Sequence, residues 1–145
     1  MAGAPSSPSS ARAATKVLLD TNFLLLPFQR RVDILREIER LIGSRVEFVV
    51  LSQVLDELHQ LSETGPLKDR RAATSALELV AKNCHIADAA STQTMGLTAD
   101  AALLRYAQDA KTVVATNDQE LRHALVKRGS RAIFLRKLAF LAITE

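Results

Sequence analysis

Lys16-Val17-Leu18-Leu19-Asp20-Thr21-Asn22 is the stretch that decides the fold: a short, mostly apolar run ending abruptly in a carboxylate. An apolar run without polar alternation fits a strand covered on both faces, the kind found in parallel α/β sheets. Val46 to Leu51 (VEFVVL) repeats the type, as do Thr112-Val113-Val114-Ala115-Thr116 and Ala132-Ile133-Phe134-Leu135. The apolar segment Leu138 to Ile143 suits either another strand or a short helix. Helical patterns fill the intervals at about Val32–Ile42, Gln53–Glu63, Lys68–Asn83, Asp100–Gln108 and Asp118–Arg128, punctuated by Gly43, Gly65-Pro66, Gly96 and Gly129. Strands alternating with helices predict an α/β fold, a mainly parallel sheet with helices on both faces. In such sheets ligands gather beyond the carboxyl ends of the strands, so the residues just after each strand matter most.

The 145 residues are enough for one domain with a real core, and no internal repeat divides them. Hydrophobic residues make up 48%, charged residues 24% and aromatic residues 4%, which implies an aliphatic core and excludes a disordered or fibrous chain. A net charge of +3 and a pI near 9.4 are compatible with a polyanionic partner. So few rings argue against a single-strand binder built from stacking platforms. Cys84 is the only cysteine, which excludes an intrachain disulfide and any cysteine-based zinc module, and suits a reducing, cytoplasmic setting. Residues 1–14 are rich in Ala, Ser and Pro, lack the apolar core of a secretory signal, and read as a disordered tail. No stretch is long and apolar enough for a membrane span.

Four acids stand near strand ends. Asp20 closes the first strand, where an Asp that bonds its own loop amides would be equally at home. On the next helix, at about 100° per residue, Val54, Leu55, Leu58 and Leu61 form an apolar arc. Glu57 flanks that arc and can reach a cleft, whereas Asp56 points to solvent. Asp100 is expected within the inward stripe of its helix, one turn before Leu103 and Leu104. An uncompensated carboxylate there is costly, and the helix dipole explains an acid near the start but not one facing inward. Asp118 follows the third strand; Asn117 with Glu120 three residues on resembles a capping box, which would make Asp118 a first-turn acid.

Carboxylates sharing a cleft raise one another's pKa unless a cation neutralises them. No Lys or Arg adjoins any of the four in sequence, so a divalent metal is the economical counter-charge. Oxygen-only ligation favours Mg²⁺ or Mn²⁺ over zinc or copper. Such ions activate water and stabilise phosphoryl charge, the chemistry of phosphodiester hydrolysis.

The sequence resembles the PIN-domain ribonucleases over roughly Lys16 to Leu135. The likeness is carried by Asp20-Thr21-Asn22, Val54-Leu55-Asp56-Glu57-Leu58, Thr98-Ala99-Asp100-Ala101-Ala102-Leu103-Leu104 and Val114-Ala115-Thr116-Asn117-Asp118, in that order. Each piece alone is weak, and their succession is a strong signal. The resemblance implies a three-layer α/β/α sandwich with a mainly parallel five-stranded sheet, formed by residues 15–145. It implies a Mg²⁺- or Mn²⁺-dependent endoribonuclease with Asp20, Glu57, Asp100 and Asp118 as the acidic quartet. Thr116 would orient a ligand or water, and Asn22 would support Asp20. Within the family the chain resembles compact archaeal PIN proteins, which implies either a VapC-type toxin with an antitoxin partner or a relative of small-subunit rRNA-processing nucleases. The family habit of pairing implies a homodimer. A PIN scaffold that binds RNA or protein without cleaving is the non-enzyme alternative.

A haloacid-dehalogenase-type phosphatase would need a second Asp where Asn22 stands, and a response-regulator receiver would need an acidic pair after the first strand; neither pattern fits. His59, His85 and His123 share no ligand spacing, Cys84 suits a buried small side chain, Asp88 lies in an unpatterned stretch, and Tyr106, three residues after Leu103, suits packing at the helix edge. An RNA substrate needs basic groups to hold its phosphates. Arg30, Arg31, Lys68, Arg70 and Arg71 are better placed for this than Lys127, Arg128 and Arg131, which lie near a strand start at the opposite end of the sheet.

Overall fold

The computed structural model describes residues 14–108, 112–137 and 140–144. The tail expected over 1–14 lies outside these residues except for Ala14, as do Leu138 and Ala139 of the apolar segment near the end. β1 (Thr15–Leu19) leads into α1 (Thr21–Gln29) and α2 (Ile34–Ile42), then β2 (Val46–Leu51), α3 (Ser52–Thr64) and α4 (Leu67–Asn83). β3 (His85–Ala87), the short α5 (Ala89–Thr92), α6 (Ala99–Tyr106), β4 (Thr112–Ala115), α7 (Gln119–Lys127), β5 (Arg131–Arg136) and β6 (Phe140–Ile143) follow.

The strands form one sheet in the order β3-β2-β1-β4-β5-β6, parallel except where β6 runs antiparallel to β5. Every residue of β4 is buried, and so are the carboxyl-terminal residues of β1 and β2, so side chains on both faces are covered. That burial is why these strands read as unbroken apolar runs. Val17, Leu18, Leu19, Val50, Leu51 and Val114 form the middle of an aliphatic core, with Phe23, Ile34, Leu58, Ala76, Leu103 and Leu125 packed in from the helices.

The sheet has six strands, not the expected five. β3 is three residues long with two of them exposed, and so short an edge shows no alternation to read. The open segment at the end resolves as the strand β6, which pairs Phe134 with Ala142. α1 carries no helical period because it is apolar almost throughout and contains Pro27. It forms because Asp20 caps it and five of its residues, Thr21, Phe23, Leu24, Leu25 and Leu26, are buried. The short α5 is unexpected, and the five expected helices begin and end within two residues of their predicted bounds; α2, for example, starts at the Asp33 cap and stops at Gly43, whose φ of 72° suits glycine.

β1 lies between β2 and β4: the chain winds outward from β1 on one side, then returns to build the other. The crevice at the carboxyl ends of β1 and β4 is therefore the topological switch point, where open α/β sheets take ligands. Among the described residues no helix is long and apolar enough to cross a membrane.

Candidate active site

The β1–β4 register sets Leu19 opposite Ala115, so the next residues, Asp20 and Thr116, emerge side by side at the switch point. The ladder continues one step further, with the Asp20 N–H donating to the Ala115 carbonyl at 3.0 Å. Thr116 is fully buried. Its hydroxyl donates to Asp20 Oδ2 at 2.6 Å and accepts from the Asp118 N–H at 3.0 Å, so one side chain orients two acids. Asp20 Oδ1 accepts from the Thr21 N–H at 2.7 Å, capping α1. Only 4% of Asp20 is exposed, and burial pushes its pKa up to about 6. The Thr116 hydroxyl and the Thr21 amide pull against that rise, while the charges of Asp100 and Glu57 add to it.

Asp118 is half-buried and itself caps α7, accepting from the Leu121 N–H at 3.1 Å. The capping box expected from Asn117 does not form, because Asn117 is used otherwise. Its side-chain oxygen accepts from the Leu135 N–H at 2.9 Å, and its own N–H donates to Asn22 Oδ1 at 3.3 Å. Asn22 thus steadies the loop that carries Asp118, rather than Asp20 as expected.

Glu57 projects from the second turn of α3, exposed like its neighbour Asp56, and accepts a hydrogen bond from the Thr21 hydroxyl. Asp100 departs from expectation. The buried face of α6 is Ala99, Ala102 and Leu103, and Asp100 is exposed beside it, in a first turn capped by Thr98. Asp100 does not face a packed layer, because the buried stripe runs through Ala99, Ala102 and Leu103 with Leu104 only half-buried, which leaves Asp100 at its edge toward the cleft. There its pKa is raised, first by partial burial, then by the charges of Asp118 and Glu57, a hydrogen bond with Asp118, and the charge of Glu120. These couplings join Asp20, Glu57, Asp100 and Asp118 in one cleft.

Sequence reading missed Thr21, Asn117 and Glu120 as members of this neighbourhood, and it missed Gln53. The Gln53 side-chain amide donates to both the carbonyl and the hydroxyl of buried Thr94, each at 2.9 Å. Thr94 also shares a 2.7 Å hydroxyl contact with Thr92. This clamp ties the helix bearing Glu57 to the segment leading into α6, which bears Asp100. No local signal announces a partner 41 residues away. Among the proposed basic groups, Arg30 and Arg31 follow α1 and Lys68, Arg70 and Arg71 occupy the first turns of α4; all are exposed. None forms a salt bridge among the described residues, where the one such pair joins Arg40 to Glu37.

The donor set suits a hard cation: carboxylate oxygens, with no His or Cys in the cleft. Among the described residues no group of three or more acidic, His or Cys side chains closes into a ready cage, and the acids line an open cleft. That form fits Mg²⁺, which keeps several waters and takes only one or two carboxylates.

The family model described as "PIN like domain" matches residues 17–138, spanning β1 to the end of β5. The chain belongs to the PIN-like domain family. Ribonuclease VapC4 of Methanocaldococcus jannaschii is 32% identical over 130 residues, covering 88% of this chain and 95% of that relative. Among solved structures, this PIN domain is similar to the PIN domain endonuclease Utp24, with a TM-score of 0.69 at 21% identity, covering 88% of this chain and 90% of the other. A chain of VapBC2 from Rickettsia felis, solved bound to a DNA fragment from their promoter, gives a TM-score of 0.53 at 18% identity over 74% and 92% of the two chains. At these identities the structural likenesses establish the PIN-like α/β fold, and the VapC4 match makes the protein a homologue of a ribonuclease.

Proposed function

We propose that this protein is an endoribonuclease that hydrolyses RNA phosphodiester bonds with Mg²⁺ or Mn²⁺. The observation that carries the reading is the Asp20–Thr116–Asp118 arrangement at the switch point, with Asp100 and Glu57 coupled to it. Charges this close resist ionising together, and a divalent cation relieves them. Asp20, Asp118 and Asp100 would hold the ion, with Glu57 facing the same cleft. When bound, the ion lowers the pKa of a water and offsets charge on a phosphoryl oxygen. The protein's own part is to hold the carboxylates in place: Thr116 fixes the Asp20 carboxylate and the Asp118 backbone, and Asn22 with Asn117 fixes the loop beneath Asp118. In the reaction a water oxygen bonds to phosphorus, one P–O ester bond breaks, and the leaving oxygen takes up a proton.

The test is cleavage of a mixed RNA pool with end-mapping, in Mg²⁺ and in EDTA, beside Asp20→Asn and Asp118→Asn. Wild type is expected to cut only with metal, and both variants to lose at least ~100-fold in rate, as expected when charge stabilisation at the reacting group is removed. Variants that cut as fast as wild type would overturn the mechanism; binding of RNA without cleavage by wild type would support a scaffold instead. The VapC4 relative favours a toxin paired with a protein antitoxin over an rRNA-processing role. Growth arrest on expression, relieved by Asp118→Asn and by a small protein encoded beside it, tests that choice.

A further inference from the structure

We propose that the groove between α1 and α4 binds single-stranded RNA beside the acidic cleft, with Lys68 and Arg71 neutralising backbone phosphates and Phe28 receiving a base. This rests on the ribonuclease reading and names where its substrate is held. The groove encloses about 700 Å³ and is lined by Phe28, Gln29, Leu67, Lys68, Arg71 and Ser75 among others. Lys68, Arg71 and Ser75 recur at spacings of three and four along α4, so they share one helix face. Its apolar side is open: Phe28 is 42% and Leu67 59% exposed. The acid within this region, Asp69, is occupied by the Gln29 side-chain amide at 3.3 Å. Arg70 and Arg71 line a second recess along α4 with Leu67 and Thr74, and Arg30 and Arg31 follow Gln29 directly, which extends the positive rim.

The lining residues of another recess lead from the acids toward the groove. This smaller recess, of about 310 Å³, is lined by Thr21, Glu57, Gln60, Leu61, Thr64 and Gly65. It starts at the acidic cleft and ends where Gly65-Pro66 hands the chain to Leu67. Glu57 to Thr64 spans about 10 Å of helix. A strand with one phosphate at the acids would therefore lay its next nucleotides along this recess and into the groove. Charge decides in favour of RNA over an apolar peptide: phosphates approaching an acidic cleft need cations nearby, and these side chains have no acidic partner among the described residues. One exposed ring suits a single base, consistent with a chain too poor in aromatics for a longer stack.

The experiment measures binding of a 5′-labelled 12-nucleotide RNA by fluorescence anisotropy, in Mg²⁺, to the Asp118→Asn protein with and without Lys68→Ala/Arg71→Ala. The double change should weaken binding at least ten-fold and reduce the slope of log affinity against log salt by about 1.4, the value for two lost single-strand phosphate contacts. Phe28→Ala should weaken binding about five-fold or more with the slope unchanged. In the protein with Asp118 intact, Lys68→Ala/Arg71→Ala should raise KM on the 12-mer with kcat unchanged, the pattern of lost uniform binding. Lys127→Ala/Arg131→Ala, at the far end of the sheet, should change neither. Circular dichroism melts confirm that each variant is folded. If RNA binds Asp118→Asn equally well with the groove altered, the proposal falls while the ribonuclease reading stands, and a protein partner becomes the groove's occupant. If wild type cuts no RNA and Asp118→Asn binds none, both fall together.

Discussion

Asp20→Asn is expected to stabilise the metal-free protein at neutral pH even as it removes activity. Asp20 is buried, and its pKa rises from 3.8 to about 6 on folding. A shift of that size corresponds to about 3 kcal/mol. The folded protein binds the Asp20 proton more tightly than the unfolded chain does. This contribution is therefore favourable as pH falls through 6 toward 3.8, and above pH 6 the ionised carboxylate subtracts its full amount. Asparagine removes the charge but fits the site less well. Both Asp20 oxygens accept hydrogen bonds, from the Thr21 amide and the Thr116 hydroxyl, and an amide can supply only one oxygen. Losing one such bond costs about 1 kcal/mol. The net gain at pH 7.5 is then about 1–2 kcal/mol, or roughly 3–6 °C in Tm for a domain of this size.

The assay is thermal unfolding of wild type and Asp20→Asn in EDTA at pH 7.5 and pH 5, repeated with Mg²⁺. The gap should narrow at pH 5, where wild-type Asp20 is largely protonated. Mg²⁺ should raise the Tm of wild type more than that of the variant, because a ligand stabilises the state that binds it. A variant that melts below wild type at pH 7.5 in EDTA, or a gap unchanged between the two pH values, would refute the account of Asp20 as a charge held at a cost.

Three further outcomes follow from the same geometry. Thr116→Val removes the hydroxyl that donates to Asp20 and accepts from the Asp118 amide; stability should drop by about 1–3 kcal/mol, and the acidic limb of the pH–rate profile should move to higher pH. Gln53→Leu removes the two hydrogen bonds that tie α3 to Thr94, so the Mg²⁺ concentration for half-maximal rate should rise several-fold, read by metal titration of cleavage. Asp118→Asn should leave the melting temperature nearly unchanged, because Asn caps a helix about as well as Asp; a large loss in Tm would show that the carboxylate's charge itself stabilises the fold, against its reading as a group held for chemistry.

The sheet's centre was readable because burial on both faces writes itself into consecutive residues, as at Val17-Leu18-Leu19 and Val113-Val114-Ala115. The edges were not. His85–Ala87 is half of a pairing whose other half, Val49–Leu51, lies far back in the chain, and its exposed side chains carry no apolar signature. α1 was hidden by its own burial: a helix apolar on nearly every face shows no period, and Pro27 reads as a breaker. The four acids were legible through their place after strands and in motifs, but their surroundings were not. Thr116 could be suspected from its neighbour Asp118, yet its bond to Asp20 crosses 96 residues. Asp100 was placed on the wrong face because Leu104 was counted in the inward stripe, whereas the buried face is Ala99, Ala102 and Leu103 and small alanines give little apolar signal.

Both alternative explanations for Asp20 and Asp118, that they are helix caps, are structurally true, and this strengthens the case for a metal site. Each carboxylate gives one hydrogen bond's worth of acceptance to a helix amide, at Thr21 and at Leu121. A carboxylate has about four lone-pair positions, so capping leaves acceptor capacity facing the cleft. The amino-terminal ends of α1 and α7 also place partial positive charge behind the acids, which offsets part of their mutual repulsion. Capping alone would be served by Asn or Ser at either position, and neither would need a buried threonine to join the two caps. What capping leaves unexplained is the coupling: Thr116 bridges the two caps, while Asp100 and Glu57 bring further negative charge into the same cleft. A fold that uses helix ends to pin two acids, then adds two more, offers a site in which a bound cation would lower the free energy of every member.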